Sequence, residues 1–593
     1  MTFTYFVTGA DWGRIAPELV LVVITLLVML VDLLLQPSGK SAQIAGPTNF
    51  VALPALSLLG VAGAFVATIV LFLVGDHLAA FNSMIGSDFG SLYAYIIILS
   101  ASALGLLLSP SYLKRLRLFH QGEYYALYLL ATIGMMLMAA ATNFLTIFLG
   151  LEMLSLALYI LCGFVSRRLS SQESSMKYFL LSSFASAFLL YGIALTYGAT
   201  GSTTFSAIHA FLSGHASSGK FDTHTMLLIA MGLLVVGFAF KVSAVPFQAW
   251  TPDVYEGAPA PITAFMSVGT KAAALIAFAR VFDIALAPLQ NDWVPIIWAI
   301  TVLTIVGGNI LALVQTNTKR MLAYSSIAHA GYLLIGVVAG AKFGIPAILF
   351  YLFSYTFLNM GAFGVVSVLE HPDNSGSNYS DIRGLWYRRP ILAGLLAFFM
   401  IVLAGFPPMA GFLAKYYVFY AAFQSGHVEL LIIGVLASVL GMYYYLRVVA
   451  TMFMEKGEKG EKGEKGTVSV APTLSASGNG RRISARGSNA DAMVAPISGK
   501  RNSARLSNAD AMVAPASGST AVAVKPPPAR VVSTGKTSAV ALTTTGEQIG
   551  SVSIVSWVAL GLAALGTLVL GTVFASWFVD LAQQAANMMI LLK

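Results

Sequence analysis

Two lysines and four prolines fall within KVSAVPFQAWTPDVYEGAPAPITAFMSVGTK, residues Lys241 to Lys271, a stretch otherwise apolar enough for a membrane helix. A lysine at the centre of a spanning helix costs roughly 2.5 to 3.5 kcal/mol on insertion scales, so such residues face a protein interior or a wet cavity. Pro246 removes a backbone donor and breaks the helix just after Lys241. Broken helices at membrane depth persist only where they line a cavity or pack in protein. The pattern predicts an internal, hydrated ion path.

Other ionisable groups extend it. Glu152 lies mid-span in FLTIFLGLEMLSLALYILCGF, and Lys177, at the inner end of the next span, is its candidate partner or else reaches out to the interface. Lys415 follows a second proline break, Gly405-Phe-Pro407-Pro408. Burial disfavours a charged amine and an approaching carboxylate favours it. Making and breaking a Glu152 contact would thus switch a lysine between holding and releasing a proton. His329, in YSSIAHAGYLL, lies 177 residues past Glu152, where a repeat places its counterpart, and imidazole suits a relay. The competing readings are static ion pairs for Lys241, Lys271 and Lys415, and a packing role for His329. Glu18, Asp32, Glu429 and Arg447 read as interfacial, and Asp253 and Glu256 as hydrated or capping. The sequence has no P-loop, dinucleotide glycine fingerprint, HExxH helix or cysteine cluster, so it offers no site for NADH, flavin, iron-sulfur or a metal.

The elements that position these residues are membrane helices. Of the 593 residues, 57% are hydrophobic and 10% charged, and the mean hydropathy is +0.80. That excludes a soluble or disordered chain. A net charge of +9 then reports topology rather than nucleic acid. The single cysteine, Cys162, sits in an apolar helix and reads as a small buried hydrophobe. Fourteen spans are predicted, near 14–36, 52–75, 91–109, 124–141, 143–166, 175–198, 225–246, 260–281, 293–315, 320–341, 343–369, 391–424, 428–454 and 553–579. The first lacks a signal peptide's charged n-region and cleavage site, and reads as retained.

With the N-terminus outside, the inner loops hold Lys40, Lys114, Arg115, Arg117, Arg167, Arg168, Lys319, Arg320, Arg383, Arg388 and Arg389. The outer segments hold only Arg14, Lys220, Arg280, Lys342 and Lys593. This favours both termini on the non-cytoplasmic side of a bacterial inner membrane. Residues 225–259 and 391–423 would each reach about 50 Å as straight helices, against a core of about 30 Å, so each is read as discontinuous. Lys241 and Lys415 stand 174 residues apart beside those breaks, and a similar offset relates neighbouring spans. The expected fold is all-α and polytopic: an N-terminal three-helix segment (1–123), two inverted five-helix repeats (124–281 and 293–454), and a C-terminal helix (551–593). Between the last two, residues 455–550 open with EKGEKGEKGEKG, repeat Ser484–Gly499 as Ser503–Gly518, and are basic and nearly free of aromatics. They read as a disordered cytoplasmic loop, a tolerated insertion or a tether for anionic lipid.

KVSAVPFQAWTPDVYEGAPAPITAFMSVGTKAA, FLGLEMLSLALYIL, ESSMKYFLLSSFASAFLLYGIALTYG, MLAYSSIAHAGYLL and LAGFPPMAGFLAKYYVF together resemble the subunit N family of bacterial NADH-quinone oxidoreductase, the counterpart of mitochondrial NADH dehydrogenase subunit 2. The resemblance covers nearly all spans and departs at 455–550, where members have a short loop. It implies an antiporter-like subunit in the membrane arm of respiratory complex I, coupling quinone reduction to proton pumping. Its partners would be other antiporter-like and small membrane-arm subunits and the lipid bilayer, with NADH, FMN, iron-sulfur clusters and quinone held by other subunits. The family pattern maps onto Glu152 and Lys177, the central Lys241 and Lys271, and Lys415. It implies Lys241 as the switching carrier, Glu152 as its modulator, and Lys271 and Lys415 as the groups passing protons inward or outward. The alternatives are a subunit of a multi-subunit sodium/proton antiporter, which shares this fold, and a non-conducting membrane scaffold. The related large complex I subunit fits less well, because about fourteen residues follow the last span, too few for its lateral helix.

Overall fold

The computed structural model describes residues 7–454 and 552–591, apart from 36–48, 76–77, 117, 119–120, 217–223, 372, 374 and 573. The segment expected to be a disordered loop, 455–550, lies outside the described residues, as do Lys40, Arg117, Lys220 and Lys593 of the topology count. The chain is a multi-pass helical membrane protein.

It begins with α1 (Gly9–Arg14), α2 (Ala16–Leu35), α3 (Asn49–Val74), a hairpin of β1 (Ala79–Ala80) and β2 (Ile85–Gly86), and α4 (Phe89–Arg115). The Asp88 carboxylate caps α4 by accepting from Ser91 N at 2.9 Å. Next come α5 (Gly122–Ala140), α6 (Phe144–Cys162), α7 (Leu169–Thr200), α8 (Phe205–Ala216), α9 (His224–Val242), α10 (Trp250–Gly257) and α11 (Ala260–Ala279), which runs on into a π-helical turn, Arg280–Ala285. The later part holds α12 (Gln290–Leu313), α13 (Thr318–Ala339), α14 (Ala341–Leu369), α15 (Tyr379–Ile382), α16 (Leu385–Arg388), α17 (Pro390–Ala404), α18 (Ala410–Gln424) and α19 (Val428–Phe453). After the undescribed segment follow α20 (Ile554–Leu570) and α21 (Ala575–Leu591).

Among the described residues, twelve helices are each long and apolar enough to cross a membrane. Helix α11 is buried along its whole length and α13 and α14 nearly so, whereas α2 and α3 leave most of their side chains facing outward. Leu26, Leu33, Leu34 and Leu73 are among those outward groups. A helix apolar on all sides with leucines outside is built for lipid.

The two expected discontinuities are present, between Val242 and Trp250 and between Ala404 and Ala410. Helices α17 and α18 have fifteen residues each, about 22 Å, too short to cross singly. The span expected over 553–579 ends instead at Leu570, and α21 leaves α20 at 84°. The reason is visible at the joint. A Cβ on Gly571 would stand 2.7 Å from Ala410 N, so α20 stops against the second break. Helix α21 is amphipathic: Ala582, Ala585, Ala586 and Met589 form its buried stripe, while Gln583 and Asn587 pair on the exposed side.

An interval of 174 residues relates local details of two helix pairs. Asn143 accepts from Leu145 N at the start of α6 and bridges to Thr204; Asn317 accepts from Arg320 N at the start of α13 and bridges to Asn378. A Cβ on Gly134 would lie 2.6 Å from Leu154 N, and one on Gly308 would lie 2.7 Å from Ala328 N, so α5 meets α6 as α12 meets α13.

Gly308→Ala should therefore destabilise the purified protein by about 1–3 kcal/mol by forcing α12 from α13. Gly561→Ala, with nothing within 4 Å of its Cβ, should stabilise helix α20 by about 0.5–1 kcal/mol. Thermal melts showing the same sign for both would contradict this packing.

Candidate functional site

Lys241 sits in the last turn of α9 and is 2% exposed. The break beside it is satisfied internally: Trp250 Nε1 donates to Phe240 O at 3.1 Å, Thr251 Oγ1 to Ser243 Oγ at 2.7 Å, and Val245 N to Thr304 Oγ1 at 2.9 Å. Lys241 Nζ donates to Ser155 Oγ at 2.6 Å and to Ser182 Oγ at 3.2 Å, and lies 5.4 Å above the Tyr178 ring. Glu152, one turn before Ser155, is near enough for its charge to act on Lys241. Its Oε1 is buried without a hydrogen-bond partner.

Lys271, 1% exposed, projects from the middle of α11 and donates to the main-chain carbonyl of Ser326 at 2.7 Å and to the Ser326 hydroxyl. The Tyr255 ring lies 5.9 Å beneath it. Lys415, on α18, donates to Leu403 O at 3.2 Å, Ala404 O at 3.1 Å and Ser438 Oγ at 3.0 Å. Those two carbonyls end α17, where a helix C-terminus leaves acceptors free and a negative dipole end. Lys415 also borders a cavity of about 420 Å³ between α18 and α19, shared with Phe412, Tyr416 and Phe419. Among the described residues none of these three lysines makes an ion pair, so they are not the static pairs that the competing reading required.

His329 is placed between two phenols, Nδ1 at 2.7 Å from the Tyr351 hydroxyl and Nε2 at 3.0 Å from that of Tyr445, which also bonds Ser325. The 174-residue interval sets His329 against Ser155 rather than Glu152; Ser326 falls opposite Glu152, and Tyr445 opposite Lys271. The expected counterpart of Glu152 was offset by one helical turn. Lys241 and Lys415 do correspond, but on opposite sides of their breaks.

Lys177 does not meet Glu152. Its ammonium is 2.7 Å from both Glu173 and Asp253, and Arg320 joins Asp253 at 2.7 Å and Glu256 at 2.9 Å. These side chains line an open cavity of about 180 Å³. Helix geometry explains the difference. Lys177 lies two turns into α7, at the level of α10, and α10 turns Asp253 and Glu256 outward while Trp250 and Tyr255 face inward. Asp253 and Glu256 are thus ion-paired rather than merely hydrated. Burial raises the Asp253 carboxyl, but hydrogen bonds from Lys177 and Arg320 outweigh it and hold it below the usual carboxylate range. Tyr178, next in sequence to Lys177, stacks on Trp250 at 4.8 Å, so one aromatic layer separates this cluster from Lys241.

Three buried polar clusters escaped the sequence reading. Glu370 joins Arg168 and Lys319; Arg280 joins Asp88 at 2.8 Å; Glu18, 3% exposed rather than interfacial, bonds the Tyr95 hydroxyl. Arg168, Lys319 and Arg280 had been counted as loop residues because they flank apolar runs. Only the Asp-x-x-Ser cap at Asp88 carried a local signal. Among the described residues no group of three or more histidines, cysteines or carboxylates could hold a metal.

Residues 141–441 match the family described as NADH:quinone oxidoreductase/Mrp antiporter, TM. NADH-quinone oxidoreductase subunit N of Trichlorobacter lovleyi is 44% identical over 471 residues, 79% of this chain and 93% of that one. A chain of respiratory complex I from Thermus thermophilus superposes with a TM-score of 0.60 at 33% identity, over 74% of this chain and 91% of that chain. A chain of the Mrp complex from Dietzia sp. DQ12-45-1b superposes with a TM-score of 0.68 over 97% of each, but at 18% identity the likeness is one of fold.

The lowered Asp253 carboxyl makes a testable contribution. The stability it supplies is present above the ordinary carboxylate value near 4 and is lost as pH falls through its lowered value. Asp253→Asn should cost less than about 1 kcal/mol at neutral pH, since the cluster is a third exposed. It should also flatten the loss of thermal stability between about pH 5 and pH 3; an unchanged acid profile would show that the pair contributes nothing.

Proposed function

We propose, from the premise that this chain belongs to the NADH:quinone oxidoreductase/Mrp antiporter family and within it to subunit N of NADH-quinone oxidoreductase, that its buried lysines relay protons. The protein is a membrane subunit of respiratory complex I, assembled with other membrane-arm subunits, and so part of an NADH:quinone oxidoreductase. In our reading it is a translocating subunit without redox chemistry of its own: NADH, FMN, iron-sulfur clusters and quinone act in other subunits. It resides in a bacterial inner membrane with both termini on the non-cytoplasmic side, and residues 124–281 and 293–454 form inverted repeats.

One observation carries the relay. Lys241, Lys271 and Lys415 are each at least 95% buried, yet all are held by hydroxyls, main-chain carbonyls and ring faces instead of carboxylates. A cation paired to a buried carboxylate is locked, because losing its charge strands the partner. A cation held by neutral acceptors can give up its proton and leave no orphan anion. Lys241 is the switching carrier and Glu152, the carboxylate among the described residues whose charge acts on it, the modulator. Ser155 and Ser182 orient the Lys241 ammonium. Lys271 and Lys415 continue the path through Ser326, His329 and the phenols around it. Lys177, with Glu173, Asp253 and Arg320, frames a wet mouth one aromatic layer from Lys241. The alternative, a sodium/proton antiporter subunit, shares with the Mrp chain only its fold.

Lys241→Arg separates a relay from a scaffold. Arginine keeps the charge but does not deprotonate in proteins, so the assembled complex should lose proton pumping as fully as Lys241→Ala. Normal pumping in either variant, measured in energised vesicles, rejects the relay.

A further inference from the structure

Away from the lysines, Glu370 is the anchor of a fully enclosed ionic cluster. It caps the end of α14. Its Oε1 accepts from Arg168 Nη1 at 2.5 Å and from the Tyr112 hydroxyl at 2.8 Å, and its Oε2 from Lys319 Nζ at 3.3 Å. The side chains of Glu370 and Lys319 expose no surface and that of Arg168 almost none. Arg168 also donates to His371 O at 2.7 Å, and Arg115 to the carbonyls of Ser367 and Val368 at 2.5 and 2.7 Å. One carboxylate therefore gathers the end of α4, the start of α7, the start of α13 and the end of α14.

Lys319 has a second acceptor, the main-chain carbonyl of Ala258 at 2.9 Å. Ala258 is the residue at which the half-helix α10 ends and the chain turns into α11. That contact ties the first turn of α13 to the entry of α11. Two turns further along α13 is Ser326, the partner of Lys271 on α11. Arg168 stands immediately before α7, which supplies Ser182 to Lys241. Two of the elements held by Glu370 thus carry lysine acceptors: α7 supplies Ser182, one of the two partners of Lys241, and α13 supplies Ser326, the partner of Lys271.

Buried ion pairs contribute little net stability against apolar replacements and are better understood as devices that specify one arrangement. We propose that Lys319 and Glu370 are positioning residues of the proton relay. By fixing the α10–α11 joint against the start of α13, they hold the Lys271 ammonium on Ser326. This rests on the relay reading above and assigns it two residues that touch no transported proton.

The test uses the full complex in sealed vesicles, with NADH oxidation and protons moved per NADH read together. Lys319→Met removes the tie to Ala258 but leaves Glu370 paired with Arg168. It should keep NADH oxidation within about twofold of the parent while protons per NADH fall, the pattern of lost coupling rather than lost enzyme. Lys319→Arg, whose guanidinium can donate to both acceptors, should restore most of the ratio. An unchanged ratio in Lys319→Met, or pumping and oxidation falling in step, overturns the proposal. So does failure of both variants to assemble, which would assign the cluster to stability alone. Lys241→Ala measured alongside separates the two readings: if it pumps normally the relay itself fails, whereas if only Lys319→Met pumps normally the positioning role alone is lost.

Discussion

An ammonium group buried among apolar helices brings three N–H donors that no lipid or leucine can satisfy, and the carbonyls of an intact helix already accept one intrahelical bond each. Helix ends and serines answer that constraint. The end of α17 offers Lys415 the carbonyls of Leu403 and Ala404, whereas Lys241, just before the other break, takes the serine hydroxyls of α6 and α7. Lys271, on an unbroken helix, takes the Ser326 carbonyl and hydroxyl from α13 instead. The prolines, the helix ends and the serines are parts of one solution to a solvation problem.

Charge is distributed along α11 in a consistent way. At its entry stands the Glu370 cluster, tied in through Lys319, and at its exit Arg280 is paired with Asp88. Between them Lys271 has neutral acceptors. Breaking a buried ion pair costs about 3–5 kcal/mol, so the two ends of the helix are pinned. The middle, free of such pairs, is where a charge can appear and vanish without unravelling the fold.

The 174-residue interval separates scaffold from chemistry. Gly134 and Gly308 make the same close helix contact, and Asn143 and Asn317 the same cap. At that spacing the ionisable positions diverge. Glu152 corresponds to Ser326, Ser155 to His329 and Lys271 to Tyr445, so a carboxylate and an amine on one side face hydroxyls and imidazole on the other. Only Lys241 and Lys415 keep the same group, and the break falls after the first and before the second.

Much of this was legible in the residues. Runs of apolar sequence marked the membrane helices, because the bilayer admits few alternatives. Prolines within overlong spans marked the discontinuities, and lysines in apolar surroundings marked the buried ammonium sites. The end of α20 was misplaced because hydropathy alone extends into α21, whose apolar residues form only a stripe. Which groups meet was decided by packing. Lys177 was matched to Glu152 because the two lie on neighbouring spans, yet the level of α10 gave it Asp253. Arg168, Lys319 and Arg280 looked like loop charges, since a residue at the end of an apolar run reads the same whether it reaches water or a buried carboxylate 202 residues away in the chain. The sequence by itself determined which groups are too costly to leave in lipid. Only the tertiary structure decided their partners, because a hydrogen bond is a matter of distance and direction between helices far apart in the chain, and neither is written in the order of residues along any one of them.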